Sequence, residues 1–138
     1  MVITRKITLQ SKGECDVIDI TPKVNEALAG TELSAGVVIL FVTGSTAGLS
    51  TIEYESGVVN DFKNMWKRLV PESIPYEHDS RWGDGNGYSH VRASLLGASL
   101  AVPFSDRRML LGTWQQIVVV DFDNRPRSRQ VVVQIIGE

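Results

Sequence analysis

The feature that most constrains the fold is a run of twenty residues, 33–52, without a charged side chain. Twenty residues is the length of a membrane-spanning helix, but this run contains three glycines and six hydroxyl side chains. Its continuous apolar part is only the hexamer 37–42, whose β-branched content is typical of a buried strand. The run therefore predicts a core strand followed by a tight turn at residues 43–48, and no membrane span.

Alternating apolar residues predict that much of the remaining chain is β-structure. Ile3, Ile7 and Leu9 share one side of a first strand, and further strands are expected at residues 15–20, 49–54, 99–104, 109–112, 115–123 and 128–136. Residues 105–108 and 124–127 carry turn residues and predict two hairpins. Three helices are expected at residues 21–30, 58–69 and 89–96. This pattern predicts a single α+β domain over residues 1–138, with a mainly antiparallel sheet and two or three short helices.

Composition limits the partners and the compartment. A formal net charge of −2 and a pI near 5.7 provide no positive field for nucleic acid or an acidic membrane surface. Cys15 is the single cysteine, so no internal disulfide can form, which favours a reducing intracellular compartment. The basic N-terminal residues precede no long apolar segment, so no signal peptide is expected and the protein is predicted to be cytoplasmic.

The strongest candidate for chemistry is a polar loop over residues 72–88 that has no apolar periodicity. Both histidines of the chain, His78 and His90, lie in or next to it, with Asp84 and Asn86 between them. Two imidazoles and a carboxylate suit a divalent metal such as zinc. The same side chains suit general acid–base catalysis near neutral pH. A third interpretation is an ordinary polar loop in which His90 only caps the following helix.

Three weaker patterns also suit ligand binding. Ser45 and Thr46 lie in a glycine-rich turn after the core strand, where backbone N–H groups and hydroxyls can hold an anion, although a purely structural turn is equally consistent. Arg127 belongs to a basic turn that can grip phosphate, or can simply be solvated. A polar and aromatic segment interrupts the β-rich region and can line a ligand surface or cover a sheet edge. It consists of Thr113, Trp114 and Gln115.

Taken together and in order, several segments resemble the YjbQ-like family, whose members are often named secondary thiamine-phosphate synthase enzymes. The segments are GSTAG followed by IE, LVP-x₄-Y-x-H, D-x-N-x-x-x-H, SLLG-x-S, VPF, LLGTWQ and PRSR-x-VVV-x-IIG. The resemblance covers nearly the whole chain. It implies an α+β fold, a homotrimer, and a weak activity that joins a pyrimidine diphosphate to a thiazole phosphate and releases pyrophosphate.

The resemblance also implies site residues. His78, Asp84, Asn86 and His90 match the family's polar loop, Thr113, Trp114 and Gln115 its TWQ segment, and Glu53 its acidic residue after the glycine turn. His78, His90 and Asp84 would hold a divalent metal, zinc or magnesium, or act as acid–base groups with Asn86 orienting them. In addition to these matches, we expect Ser45 and Thr46 with neighbouring backbone amides to hold phosphate, and Arg92 or Arg127 to neutralise it.

Two departures from the family pattern bear on activity. Gly44 stands where the family usually has a histidine, which reduces a set of three histidines to two. The turn after Asp123 is one residue longer than the family's Asp-Gly-Pro. The alternative function is therefore a non-catalytic protein that binds a metal or a phosphorylated metabolite. Because 138 residues leave little chain to enclose a site, a pocket shared between subunits is expected.

Overall fold

The computed structural model describes residues 1–138, in eight strands and four helices. The strands are β1 (Val2–Ser11), β2 (Asp16–Asp19), β3 (Gly36–Thr43), β4 (Ala47–Ile52), β5 (Ser99–Ser105), β6 (Arg108–Met109), β7 (Gln116–Asp121) and β8 (Arg127–Gly137). The helices are α1 (Thr21–Ala29), α2 (Ser56–Leu69), α3 (Glu77–Trp82) and α4 (Gly87–Leu96). The predicted α+β fold with mainly antiparallel strands is confirmed, with one helix more than expected.

The strands form two antiparallel sheets. The larger has the order β1-β8-β3-β5-β6 and the smaller the order β2-β7-β4. The predicted hairpin at residues 105–108 joins β5 to β6, but the one at residues 124–127 is wrong, because this turn carries the chain from the small sheet to the large one. β7 is already paired on both edges, by β2 and β4, so β8 has no edge of β7 left to pair with.

Two apolar clusters explain the layering of the molecule. The first fills the space between the two sheets and is closed by the buried face of α1, including Val24 and Leu28. The second covers the other face of the small sheet with residues from α2 and α4, among them Trp66, Tyr88 and Ala93. The small sheet is thus buried on both faces, which explains why residues 117–120 are apolar without alternation.

α3 was not expected from the sequence. It has six residues and no buried side chain, so it has no apolar stripe by which periodicity could reveal it. Gly83 ends the helix with φ of 72°, a left-handed conformation that glycine adopts readily.

The strand predicted at residues 109–112 is too long, since β6 ends at Met109. No helix in the protein combines the length and apolar character needed to cross a membrane.

Candidate functional site

The two histidines are in contact. His78 lies on α3 and His90 on α4, and their ring centroids are 4.4 Å apart with 45° between the ring planes. The Asp79 carboxylate brings the helices together, because its Oδ1 accepts a 2.8 Å hydrogen bond from the backbone N–H of Gly87, the first residue of α4. The structure thus brings together two side chains that are twelve residues apart in the sequence.

The environment of His90 favours the neutral form of its imidazole. Burial lowers the pKa of its imidazole below the ordinary value, and the neighbouring His78 lowers it further. The carboxylates of Asp123 and Asp84 and a hydrogen bond to the backbone of Ser45 act in the opposite direction but do not overcome these effects. The groups that act on His90 come from the glycine-rich turn, at Ser45, and from the polar loop, at Asp84. Both segments therefore lie near this imidazole.

A buried arginine–carboxylate pair lies beneath this surface. The Arg129 guanidinium donates two hydrogen bonds to Asp121, from Nε to Oδ2 at 2.7 Å and from Nη2 to Oδ1 at 2.9 Å. The Asp121 side chain is completely buried, and that of Arg129 is 8% exposed. Ser11 also donates to Asp121, so the two sheets are connected here through side chains from β1, β7 and β8. Such a bidentate pair is geometrically specific.

Asp123 is the second buried carboxylate and accepts hydrogen bonds from several directions. Thr46 Oγ1 and Arg127 Nε donate to its Oδ2 at 2.9 and 2.8 Å, and Asn86 Nδ2 donates to its Oδ1 at 3.3 Å. Burial alone would raise the pKa of this carboxyl, but these bonds and one from the Asn124 backbone outweigh it and hold the pKa below the ordinary value. Asp123 is therefore ionised at neutral pH and fixes the residues around it.

Two predicted ligand-binding residues use their polar side-chain atoms in hydrogen bonds within the protein. Thr46 is buried, accepts a hydrogen bond from Arg129 and donates one to Asp123, so its hydroxyl is not available to phosphate. Arg92 is also buried, and both Nε and Nη2 donate to the carbonyl oxygen of Val70, at 3.0 and 2.9 Å. The roles predicted for these two side chains do not fit this geometry, because the sequence could not reveal their buried partners.

A small polar cleft lies next to the histidines. It has a volume of about 240 Å³ and contains no apolar residue; it is lined by Asp84, Asn86, Asn124, Arg125 and Arg127. The side-chain amide of Asn124 donates to the carbonyl oxygen of Asp84 at 2.8 Å, which closes one side of the cleft. Arg127 is one-third exposed while it contacts Asp123, and Arg125 is exposed without an ion-pair partner. Two guanidinium groups can therefore reach a ligand in this cleft.

The remaining predicted residues lie at the other end of the small sheet. Because β4 and β7 are antiparallel with Ala47 opposite Asp121 and Ile52 opposite Gln116, Glu53, six residues after Ala47, is about 20 Å from the histidine end along the strands. Thr113 and Trp114 lie beside Glu53 in a separate cleft of about 480 Å³. Within one chain, the two groups of predicted site residues are thus separate. Gln115 is also at this far end, where its Nε2 donates to Thr51.

Metal ligation is supported by fewer side chains than expected. The structure contains no group of three or more His, Cys, Asp or Glu side chains placed to hold a metal ion. His78 and His90 are in contact, whereas the carboxylate nearest to His78 Nδ1 is Asp79 Oδ1 at 3.8 Å. A metal ion held by these two imidazoles would need its remaining ligands from outside the predicted set.

Gly44 occupies a conformation that favours glycine. Its φ is 131°, and a Cβ atom at this position would lie 2.7 Å from Nη1 of Arg129. The histidine that the family resemblance places at this position would therefore require a different backbone in the turn and a displaced Arg129. A single substitution here cannot complete a set of three histidines without disturbing the buried network.

We expect Gly44→Ala to lower the free energy of unfolding by about 1–3 kcal/mol, from backbone strain and contact with the Arg129 guanidinium. Urea denaturation at pH 7 measures the change. Gly30→Ala is a matched control, because Gly30 has φ of −75° and an added Cβ would make only ordinary contacts at 3.6 Å. Equal effects of the two substitutions would contradict the strain assigned to Gly44.

These features define a class of protein: a small α+β domain of two stacked antiparallel sheets, with one polar site where the small sheet meets two helices. The family described as UPF0047 protein YjbQ-like matches residues 5–138. The chain belongs to this family, as the sequence resemblance predicted.

Individual relatives agree with this assignment. A UPF0047 protein of Archaeoglobus fulgidus is 34% identical over 131 residues, which cover 95% of this chain and 99% of the relative. UPF0047 protein YugU of Bacillus subtilis is also 34% identical, over 88% of this chain and 90% of its own. A crystal structure of a YbjQ-like protein of unknown function from Sulfolobus solfataricus P2 superposes with a TM-score of 0.94 at 28% identity, covering 100% of this chain and 99% of the other. The structure therefore has the fold of its family.

Asp121, Asp123 and Arg129 were not identified as site residues from the sequence. The sequence contained one signal for the two carboxylates. Asp121 is the last residue of an apolar strand that must be buried, and Asp123 follows two residues later. Buried carboxylates require partners, and the arginines of the following turn are the nearest cations in the sequence. The position of Thr46, 77 residues from Asp123, had no comparable signal.

Proposed function

We propose that this protein binds a small phosphorylated molecule in the polar cleft beside the histidine pair. The observation that carries the proposal is the cleft itself: it has no apolar lining, and Arg125 and Arg127 both face it. Guanidinium groups bind phosphate through paired hydrogen bonds. The carboxylate partner of Arg127 is shared with other donors, so Arg127 can turn one of its N–H groups to a ligand while Asp123 stays satisfied.

The finer proposal is a transfer reaction of the type implied by the family name. The thiazole nitrogen of one substrate attacks the methylene carbon of the pyrimidine diphosphate, a C–N bond forms, the C–O bond breaks, and pyrophosphate leaves with the bonding electrons. The two arginines would stabilise the charge that develops on the departing pyrophosphate. In its protonated form, His90 would donate a proton to this leaving group.

Binding without catalysis is the second candidate. It is favoured by Gly44, which leaves the site with two imidazoles, and by the absence of a third metal-ligating side chain beside them. In this case a divalent metal would be held by His78 and His90 and by oxygens of the bound phosphate. Zinc accepts such a mixture of nitrogen and oxygen ligands.

A homotrimer is part of the proposal. The outer face of the large sheet carries exposed apolar side chains on its central strands, including Ile39, Phe41 and Ile136. Contiguous exposed apolar side chains of this kind commonly mark a protein interface. A site shared between subunits would require the far cleft with Trp114 and Glu53 in one subunit to lie beside the histidine end of another.

We expect pyrophosphate to bind the protein, and Arg125→Gln to weaken the binding about tenfold, because Arg125 is exposed and free to contact the anion. Isothermal titration calorimetry at low ionic strength measures the dissociation constant. Arg68→Gln is the matched control, since Arg68 is an exposed arginine on α2, away from the cleft. Absence of measurable binding, or equal effects of both substitutions, would contradict phosphate binding at this cleft.

A further inference from the structure

The edge of the large sheet formed by β1 is open along its ten residues. β1 pairs only with β8, so one side of its backbone has no strand partner. Met1 and Gly137 exchange two backbone hydrogen bonds, of 2.9 and 3.1 Å, which fixes the alternation along the antiparallel ladder. It follows that the N–H and C=O groups of even-numbered residues, including Thr4, Lys6 and Thr8, point away from β8.

Side-chain contacts agree with this orientation. The carbonyl oxygen of Thr8 accepts a hydrogen bond from Lys23 Nζ at 3.4 Å, and that of Thr4 accepts one from Arg5 Nη1 at 3.1 Å. Both carbonyl groups therefore face outward rather than into the sheet. An extended edge that has no strand partner, and whose outward carbonyl groups contact only exposed side chains, readily accepts a further strand.

A cationic groove follows this edge. It has a volume of about 410 Å³ and lies between β1 and α1. Its charged lining residues are Arg5, Lys6, Lys23 and Glu26. The side chain of Arg5 lies on the same face of β1 as Ile7, toward α1, whereas that of Lys6 lies on the opposite face. None of the three cations forms an ion pair with another residue of the protein. The groove thus provides a strand edge, a flanking helix and an excess of positive charge in one place.

We propose that this groove binds an extended acidic peptide segment, which adds to the large sheet as a strand alongside β1. Strand addition gives the peptide main-chain hydrogen bonds, and the lysine and arginine side chains select acidic residues. A compact anion could pair with the cations of the groove, but it could not form the regularly spaced hydrogen bonds that the β1 backbone offers along its edge. The proposal is independent of the phosphate site, which lies at the end of the small sheet.

A capped heptapeptide that alternates valine and glutamate is a suitable probe. We expect it to bind the full-length protein at low ionic strength and to slow amide hydrogen exchange at Thr4, Lys6 and Thr8 at least tenfold. The neighbouring amides of Arg5 and Ile7 are already bonded to β8 and should change little. Fluorescence polarisation measures the affinity, and NMR measures exchange at each amide. A heptapeptide that alternates valine and lysine should not bind.

Charge reversal tests the groove. Arg5→Glu combined with Lys23→Glu should weaken binding about tenfold, whereas the control Lys12→Glu with Arg108→Glu changes two exposed cations outside the groove and should have little effect. No binding at millimolar peptide would overturn the proposal and indicate that the lysines only protect the edge. Binding without protection of the even-numbered amides would also overturn it, in favour of nonspecific charge attraction.

Discussion

Arg129→Met is expected to lower the free energy of unfolding by about 3–5 kcal/mol, the cost of leaving a buried charge without its partner. Arg129 supplies both guanidinium bonds to Asp121 and lies 3.7 Å from Asp123, and both carboxylates are almost fully buried. Methionine fills a similar volume but provides no positive charge. Urea denaturation of the variant and the natural protein at pH 7 measures the difference.

Arg127→Met is the matched control, with an expected loss of about 1 kcal/mol. Arg127 is one-third exposed, and Asp123 keeps its bonds from Thr46 and Asn86 when it is removed. Adding Asp121→Asn to Arg129→Met should restore part of the stability, because the neutral amide removes one of the unpaired charges. Equal losses in the two single variants would contradict the central role of Arg129.

The loss caused by Arg127→Met should depend on pH, because Arg127 is one of the donors that lower the pKa of Asp123. In the natural protein, the pKa of Asp123 lies below its ordinary value, so its ionisation stabilises the fold above about pH 4, and this contribution is lost as the pH falls through the lowered pKa. Without Arg127, one of the hydrogen bonds that lower the pKa of Asp123 is lost, so the ionised carboxylate stabilises the fold less than in the natural protein. The difference between the variant and the natural protein should therefore shrink on acidification.

Much of the fold could be predicted from the sequence because its elements are local patterns. The core strand over residues 37–42 and the alternation of Ile3, Ile7 and Leu9 follow from apolar spacing, which one face of a sheet requires. α3 could not be predicted in this way, since it buries no side chain. After Asp123 the chain passes from the small sheet to the large one because both edges of β7 are already paired, by β2 and β4. The sequence near the turn carries no information about these two partners.

The candidate site was predictable to the extent that its residues are close in sequence. His78, Asp84, Asn86 and His90 lie close together in the sequence. His78 on α3 contacts His90 on α4 because the Asp79 carboxylate of α3 accepts a hydrogen bond from the first residue of α4. The roles expected of Arg92 and Thr46 did not fit, because their partners come from other elements. Arg92 donates to the carbonyl oxygen of Val70, at the end of α2, and Thr46 donates to the carboxylate of Asp123, 77 residues away.

If the transfer reaction takes place, His90→Gln is expected to lower its rate about a hundredfold at mildly acidic pH, the lower range for loss of a general acid. Only the protonated imidazole can donate a proton to departing pyrophosphate. Because burial and His78 lower the pKa of His90, this form is populated only below the ordinary histidine value of about 6.5. The effect of His90→Gln should therefore be small at pH 8 and increase as the pH falls below the ordinary histidine value. Formation of thiamine phosphate measures the rate.

His78→Ala separates an acid–base role from a structural one. Removing the neighbouring imidazole takes away one of the effects that lower the pKa of His90, so the basic limb of the pH–rate profile should move to higher pH. Pyrophosphate affinity should stay within about threefold in both histidine variants, because the arginines hold the anion. An unchanged limb would contradict proton donation by His90. If the natural protein forms no product while pyrophosphate still binds, the transfer reaction is wrong and binding without catalysis is the function that the site supports.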